Sequence, residues 1–302
     1  MRRSRTIIFS LIIIVILVYL WPASRPSFDS LYASAPPDKV AALQAFRAEF
    51  PPSTLEVSGV TWEYLSTGSG AQTILFLHGM TGAYDIWWQQ IAALRGDYQI
   101  VSVTYPAVDS LAELERGVLA ILDQEEVTQF NVVGSSLGGY LAQFLVARHP
   151  ERVNRAVFAN TFPPTTSYKE KYGTVGSLIP YVPEWLVLDI LKGSFRESIF
   201  PASGNDEFTL AFLNEIAAGR MSKAQVSGRY QCVIELFTLP AETNVPVMIV
   251  EASNDPLVDA DLRAQLRLAY PAAQVVTVDN GHFPYLTAPE FYNQTLVTFF
   301  SQ

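Results

Sequence analysis

The residues best placed to do chemistry sit in the stretch Phe130 to Gln143, which reads Phe-Asn-Val-Val-Gly-Ser-Ser-Leu-Gly-Gly-Tyr-Leu-Ala-Gln. Within it, Gly134-Ser135-Ser136-Leu137-Gly138 is a G-x-S-x-G sequence between a short β-branched apolar run and a helical pattern. A serine at the centre of such a turn is held at strained backbone angles. Small residues two before and two after it let strand and helix approach without side-chain clashes. The Ser136 hydroxyl would then stand proud of the sheet. The N–H of Leu137 would open a helix, where partial positive charge favours an anion. That is the setting for nucleophilic attack on a carbonyl. An ordinary Gly/Ser turn explains the pentapeptide equally well when it is taken alone. Ser135 lacks the symmetric glycines and is expected to pack beside the turn.

A serine hydroxyl needs a base within hydrogen-bond reach, and the chain has three histidines. His149 ends a helical stretch just before Pro150, which suits a C-terminal cap. His78 opens His78-Gly79-Met80-Thr81-Gly82, where it can shape the turn so that the Met80 N–H faces the pocket. His282 lies in Asn280-Gly281-His282-Phe283-Pro284, a turn after the last strand, at the sheet edge where ligands of open α/β sheets bind. It is the expected base. Asp255, in Ser253-Asn254-Asp255-Pro256-Leu257, follows a buried strand and is the expected orienting acid, with Glu251 and Asp279 as rivals and helix capping as its alternative use. The chain order is then nucleophile, acid, histidine.

These residues need a scaffold. Strand patterns over Val57 to Leu65, Thr73 to Leu77, Tyr98 to Val103, Phe130 to Val133 and Arg155 to Phe158 alternate with helical ones over Tyr84 to Arg95, Leu111 to Gln124 and Leu137 to His149. Alternation resumes with strands at Val245 to Val250 and Gln274 to Val278 and helices at Asp259 to Tyr270 and Pro289 to Phe300. This predicts an α/β fold: a mostly parallel central sheet with helices on both faces. Between them, residues 161–241 are rich in aromatics and prolines and are expected to form a helical cap insertion, either a lid over the site or a subdomain whose aromatics bury one another.

At 302 residues and 49% hydrophobic composition the chain can bury a large core. Three of its 20 basic residues are Arg2, Arg3 and Arg5, and all 29 acidic ones follow residue 28, so the chain beyond Arg5 carries −12. That argues against nucleic acid or anionic lipid as the main ligand and slightly favours neutral or apolar substrates. Cys232 is the only cysteine, so no internal disulfide can form. Residues 1–21 read as an N-terminal membrane anchor or signal sequence: a basic start, then an apolar run over residues 6–21. An uncleaved anchor, with bulky Trp21 resisting a peptidase, implies a single-pass protein with a cytoplasmic N-terminus and an extracytoplasmic catalytic domain; cleavage would release it. Residues 22–55 are expected to be a tether with a short helix capped by Asp38, and residues 56–302 the catalytic domain.

From about Trp62 to Phe300 the chain resembles the α/β-hydrolase superfamily, with His78-Gly79, Gly134 to Gly138, Asn254-Asp255 and Gly281-His282 in the family's order. Tyr105-Pro106, Ser136 to Gln143, Asn160-Thr161-Phe162 and Phe283 to Leu286 are similar to maspardin and its relatives. The resemblance implies the α/β-hydrolase fold and a Ser136–His282–Asp255 triad. The N–H groups of Leu137 and Met80 would form an oxyanion hole supported by His78, Gly79, Gly134 and Gly138. It implies a serine hydrolase of a small ester-like molecule, needing no cofactor and no metal. Amide or carbon–carbon hydrolysis, thioesterase or acyltransferase chemistry would use the same triad. A serine nucleophile disfavours the dehalogenase and epoxide-hydrolase variants, which use aspartate. The maspardin branch also admits a non-catalytic binding protein, a use from which retention of His282 and His78-Gly79 departs.

Overall fold

A computed structural model describes residues 2–302. Eight strands form one sheet: β1 (Ser53–Val57), β2 (Val60–Gly68), β3 (Thr73–Leu77), β4 (Gln99–Thr104), β5 (Phe130–Ser135), β6 (Val153–Ala159), β7 (Val247–Ala252) and β8 (Gln274–Val278). Their order across the sheet is β1-β2-β4-β3-β5-β6-β7-β8. From β4 to β8 every pairing is parallel, while the β1–β2 hairpin joins β4 antiparallel. The sheet thus begins at Ser53, because Ser58-Gly59 turns with positive φ at both residues and folds Ser53–Val57 back onto β2.

Alternate residues of the central strands feed two cores, as a two-residue side-chain period requires. Ile74 and Phe76 face one side with Trp87, Ile91, Tyr292 and Leu296. Leu75 and Leu77 face the other with Leu114, Ile121, Leu141 and Leu145. The sheet is therefore covered by helices on both faces, which explains why all five residues of β3 are buried.

Between β6 and β7 the chain forms helices Ser167–Leu178, Glu184–Ser194, Glu207–Glu215 and Lys223–Ile234, with π-helical turns at Phe195–Ile199 and Ile216–Arg220. The insertion meets the loops at the C-terminal sheet edge: Tyr168 Oη donates to Leu257 O at 2.9 Å, and Asn254 Nδ2 donates to Ala202 O at 2.9 Å.

The segment before the sheet differs from expectation. The helix over Pro37–Glu49 carries Asp38 in its first turn, with Pro36 rather than Asp38 at the cap. Leu43 and Phe46 are buried in the core with Tyr32 and Ala35. The membrane anchor expected over residues 6–21 is overturned. Its helix runs Arg2–Tyr19 (Met1 lies outside the described residues), and its first turn is spent on Arg2, Arg3 and Arg5. The apolar remainder rises only about 21 Å at ~1.5 Å per residue, against a hydrocarbon core of about 30 Å. Among the described residues no helix is long and apolar enough to cross a membrane, and the single-pass, extracytoplasmic arrangement falls with the anchor.

Candidate active site

Parallel register brings the chemistry-bearing loops to one edge. Leu77 pairs with Gly134, Ser135 with Ala159, Ala159 with Val250, and Ala252 with Val278. The residues that follow these strand ends are His78, Ser136, Asn160, Asp255 and His282. Five loops, scattered over two hundred positions of sequence, thus open on the same side.

Ser136 adopts φ 54° and ψ −120°, a conformation that non-glycine residues avoid. The geometry around it holds that strain. Its N–H donates to Ala159 O at 2.9 Å, and its carbonyl accepts from Thr161 Oγ1 at 2.7 Å and from the Tyr140 N–H at 2.9 Å. A Cβ on Gly134 would lie 2.1 Å from Gly138 O, and one on Gly138 would lie 2.1 Å from Leu77 O. Both glycines are therefore demanded by the closeness of strand and helix. Ser136 is partly exposed, whereas Ser135 is fully buried beside the turn, as expected.

Asp255 and His282 form a buried pair, with Nδ1 of His282 at 2.8 and 3.0 Å from the two carboxylate oxygens. Asp255 also accepts the N–H groups of Leu257 at 2.8 Å and Val258 at 3.1 Å, and Nδ2 of Asn160 at 2.9 Å. Burial pushes its carboxyl pKa up, but His282 and these hydrogen bonds outweigh burial and leave it below the usual value. A carboxylate bonded to Nδ1–H leaves Nε2 of the imidazole as a proton acceptor. The rivals are elsewhere: Glu251 pairs with Arg267, and Asp279 is exposed. His149 contacts Glu115 at 2.9 Å at the end of its helix. Among the described residues no hydrogen bond joins Ser136 Oγ to His282 Nε2.

His78 is fully buried and held neutral, its pKa driven down by burial and then by the Arg229 charge. Its Nε2 accepts the Tyr105 N–H at 3.2 Å, which places the ring proton on Nδ1, and Nδ1 donates to Gly79 O at 2.6 Å. Gly79 C=O and Met80 N–H belong to one peptide plane, so fixing the carbonyl fixes the opposite direction of the N–H. Leu137 is the first residue of its helix, and its N–H has no acceptor inside that helix.

Three residues in these contacts were not assigned roles from sequence. Asn160, at a positive φ of 44°, donates through Nδ2 to Gly281 O at 3.2 Å as well as to Asp255. Asn254 Oδ1 accepts the Gly281 N–H at 2.9 Å, and Thr161 supports the Ser136 carbonyl. All three lie within motifs quoted above, Asn160-Thr161-Phe162 and Asn254-Asp255, but pattern alone gives them no role. Two open grooves, of about 500 and 400 Å³, lie between residues 18–31 and the Glu184–Ser194 helix. None of their lining residues belongs to the Ser136, Asp255 and His282 loops. Among the described residues no cluster of His, Cys, Asp and Glu is arranged to hold a metal.

Human maspardin is 24% identical over 219 residues, covering 70% of this chain and 70% of maspardin. A hydrolase from Pseudomonas aeruginosa superposes with a TM-score of 0.74 at 18% identity, over 83% of this chain and 99% of its own. A bacterial membrane phospholipase A superposes with a TM-score of 0.67 at 17% identity, over 99% of this chain and 98% of its own. At those identities the structural likenesses speak to the fold alone, and the maspardins are relatives by sequence. The family model described as alpha/beta hydrolase fold matches residues 72–289, and with the sheet order and edge loops above this establishes that the chain belongs to the α/β-hydrolase fold family.

Proposed function

We propose that the protein is a serine hydrolase acting on a small carboxylic ester, through an acyl-enzyme on Ser136. The observation that carries this reading is the buried Asp255–His282 pair on the same sheet edge as a serine held at strained backbone angles. Ser136 Oγ attacks the carbonyl carbon, and His282 Nε2 takes its proton. His282 then returns the proton to the leaving alkoxide, and water repeats the sequence to free the acid. Asp255 holds the imidazole tautomer and stabilises the imidazolium. The tetrahedral oxyanion is met by the N–H groups of Leu137, at a helix N-terminus, and of Met80, whose peptide is clamped by His78. Hydrogen bonds between nucleophile and base are often long in a free enzyme and tighten on bound substrate, and the same is expected of Ser136 and His282 here. The net charge of −9 favours neutral or apolar esters. Helices between β6 and β7 act as a cap over the site.

The test is labelling of the full-length chain with a fluorophosphonate, alongside hydrolysis of p-nitrophenyl esters of rising chain length. Labelling at Ser136, lost together with ester turnover in Ser136→Ala, is the expected result; the substitution should lower kcat by about 10³-fold or more. A chain that neither labels nor hydrolyses any ester is a binding protein on this fold, as the maspardin relationship allows.

A further inference from the structure

Arg229 is 1% exposed on the Lys223–Ile234 helix, yet among the described residues no carboxylate pairs with it. Burial lowers its pKa to about 10, so it remains a cation at neutral pH. A buried, unpaired charge is costly, and such groups persist where their hydrogen bonds serve a purpose. Those bonds run to backbone carbonyls. Nη1 donates to Met80 O at 2.8 Å and to Gly82 O at 3.1 Å, and Nη2 donates to Tyr105 O at 2.7 Å. Nη1 also approaches Met221 Sδ at 3.4 Å, and Nε has no partner. One planar guanidinium thus grips both the loop after β3 and the loop after β4. These loops carry the Met80 N–H and the Tyr105 N–H that sets the His78 tautomer. The fork geometry matters, because a guanidinium spreads its N–H donors over a fixed plane, whereas a lysine ammonium gathers its three donors on one atom of a flexible stem.

We propose that Arg229 is a positioning residue through which the helices inserted between β6 and β7 set the geometry of the oxyanion hole. The inference rests on the serine-hydrolase reading. It adds that the inserted helices shape the site that stabilises the transition state as well as covering it. Loss of the grip frees the Met80–Gly82 backbone to rotate, and an oxyanion donor misaligned by about 1 Å costs on the order of 10²-fold in rate.

The experiment measures kcat, KM, the rate of Ser136 phosphonylation and the thermal midpoint for the full-length wild type, Arg229→Lys and Arg229→Met. Arg229→Met should lower kcat about 100-fold with KM within threefold, and Arg229→Lys about 10-fold. Phosphonylation should slow by matching factors, since it passes through the same oxyanion site. A folded Arg229→Lys protein whose kcat stays within twofold of wild type overturns the proposal, as does a rise in KM at constant kcat. If Arg229→Met does not fold, the lysine variant is read alone by the same criterion; unfolding of both assigns Arg229 to stability only and also overturns it. Wild-type protein that neither labels nor hydrolyses defeats the hydrolase reading first and this inference with it. Variants whose kcat stays within twofold of an active wild type defeat this inference alone.

Discussion

Asn160 ties the acid to the histidine loop. Its single amide nitrogen bridges Asp255 Oδ2 and Gly281 O, so one side chain fixes both the carboxylate and the residue before His282. Asn160→Ala removes a hydrogen bond that favours the ionised form of Asp255, and the carboxyl pKa must rise. Because the reading above needs that carboxylate to orient His282, kcat at neutral pH should fall about tenfold. A kcat within twofold of wild type would remove Asn160 from the pair. Nothing in the sequence marks this contact, since Asn160 and Asp255 are 95 positions apart and neither pattern nor spacing links them. The same is true of Arg229 and Met80, 149 positions apart. By contrast Ser136, His78 and His282 were legible, because each sits in a local glycine-punctuated turn after an apolar run.

The turn from β5 into the Leu137–Arg148 helix and the loop after β3 packed against it separate stability from chemistry. In Gly138→Ala the new Cβ meets Leu77 O and Leu77 C, which are backbone atoms of β3 and cannot swing aside. The expected loss is about 3 kcal/mol or more in urea unfolding. In Gly79→Ala the Cβ would stand 3.1 Å from Ser136 Cβ and 3.8 Å from Ser136 Oγ, so a shift of a few tenths of an ångström accommodates it. That variant should fold with a nearly unchanged midpoint while kcat falls about tenfold or more, because the disturbance lands on the proposed nucleophile. Equal stabilities for the two variants would refute this division. Elements of this kind are readable from sequence where a short-range pattern decides them. Thr73–Leu77, Leu111–Gln124, Gln274–Val278 and Pro289–Phe300 have the bounds that periodicity assigns. The anchor pattern misleads because the apolar run extends over residues 6–21, whereas the helix spans Arg2–Tyr19 and spends its first turn on the arginines.

At the scale of the molecule, one buried carboxylate joins three parts of the chain. Asp85, fully buried after the His78 turn, pairs with Arg47 of the Pro37–Glu49 helix at 2.7 Å and with Arg220 of the insertion at 2.8 Å. Glu215 backs the group by accepting from Arg47 at 2.9 Å and from Tyr32 Oη at 2.7 Å. The N-terminal segment, the sheet and the inserted helices are thereby tied together beside the loop after β3, so the segment before β1 is part of the folded unit. Burial raises the Asp85 pKa, yet the guanidiniums of Arg220 and Arg47 outweigh it and leave the carboxyl below its ordinary value. A carboxyl depressed in the folded state contributes its full stability above the unfolded pKa of about 3.9 and loses it as pH falls through the folded value. Asp85→Asn leaves two arginines facing a neutral amide and should cost about 3–5 kcal/mol at pH 7. The gap between wild type and Asp85→Asn should hold steady from pH 7 down to about 5 and close progressively below pH ~4, as measured by urea midpoints across that range. A gap that stayed constant down to pH 2 would mean that the Asp85 charge, and with it the tie between the three parts, contributes nothing to stability.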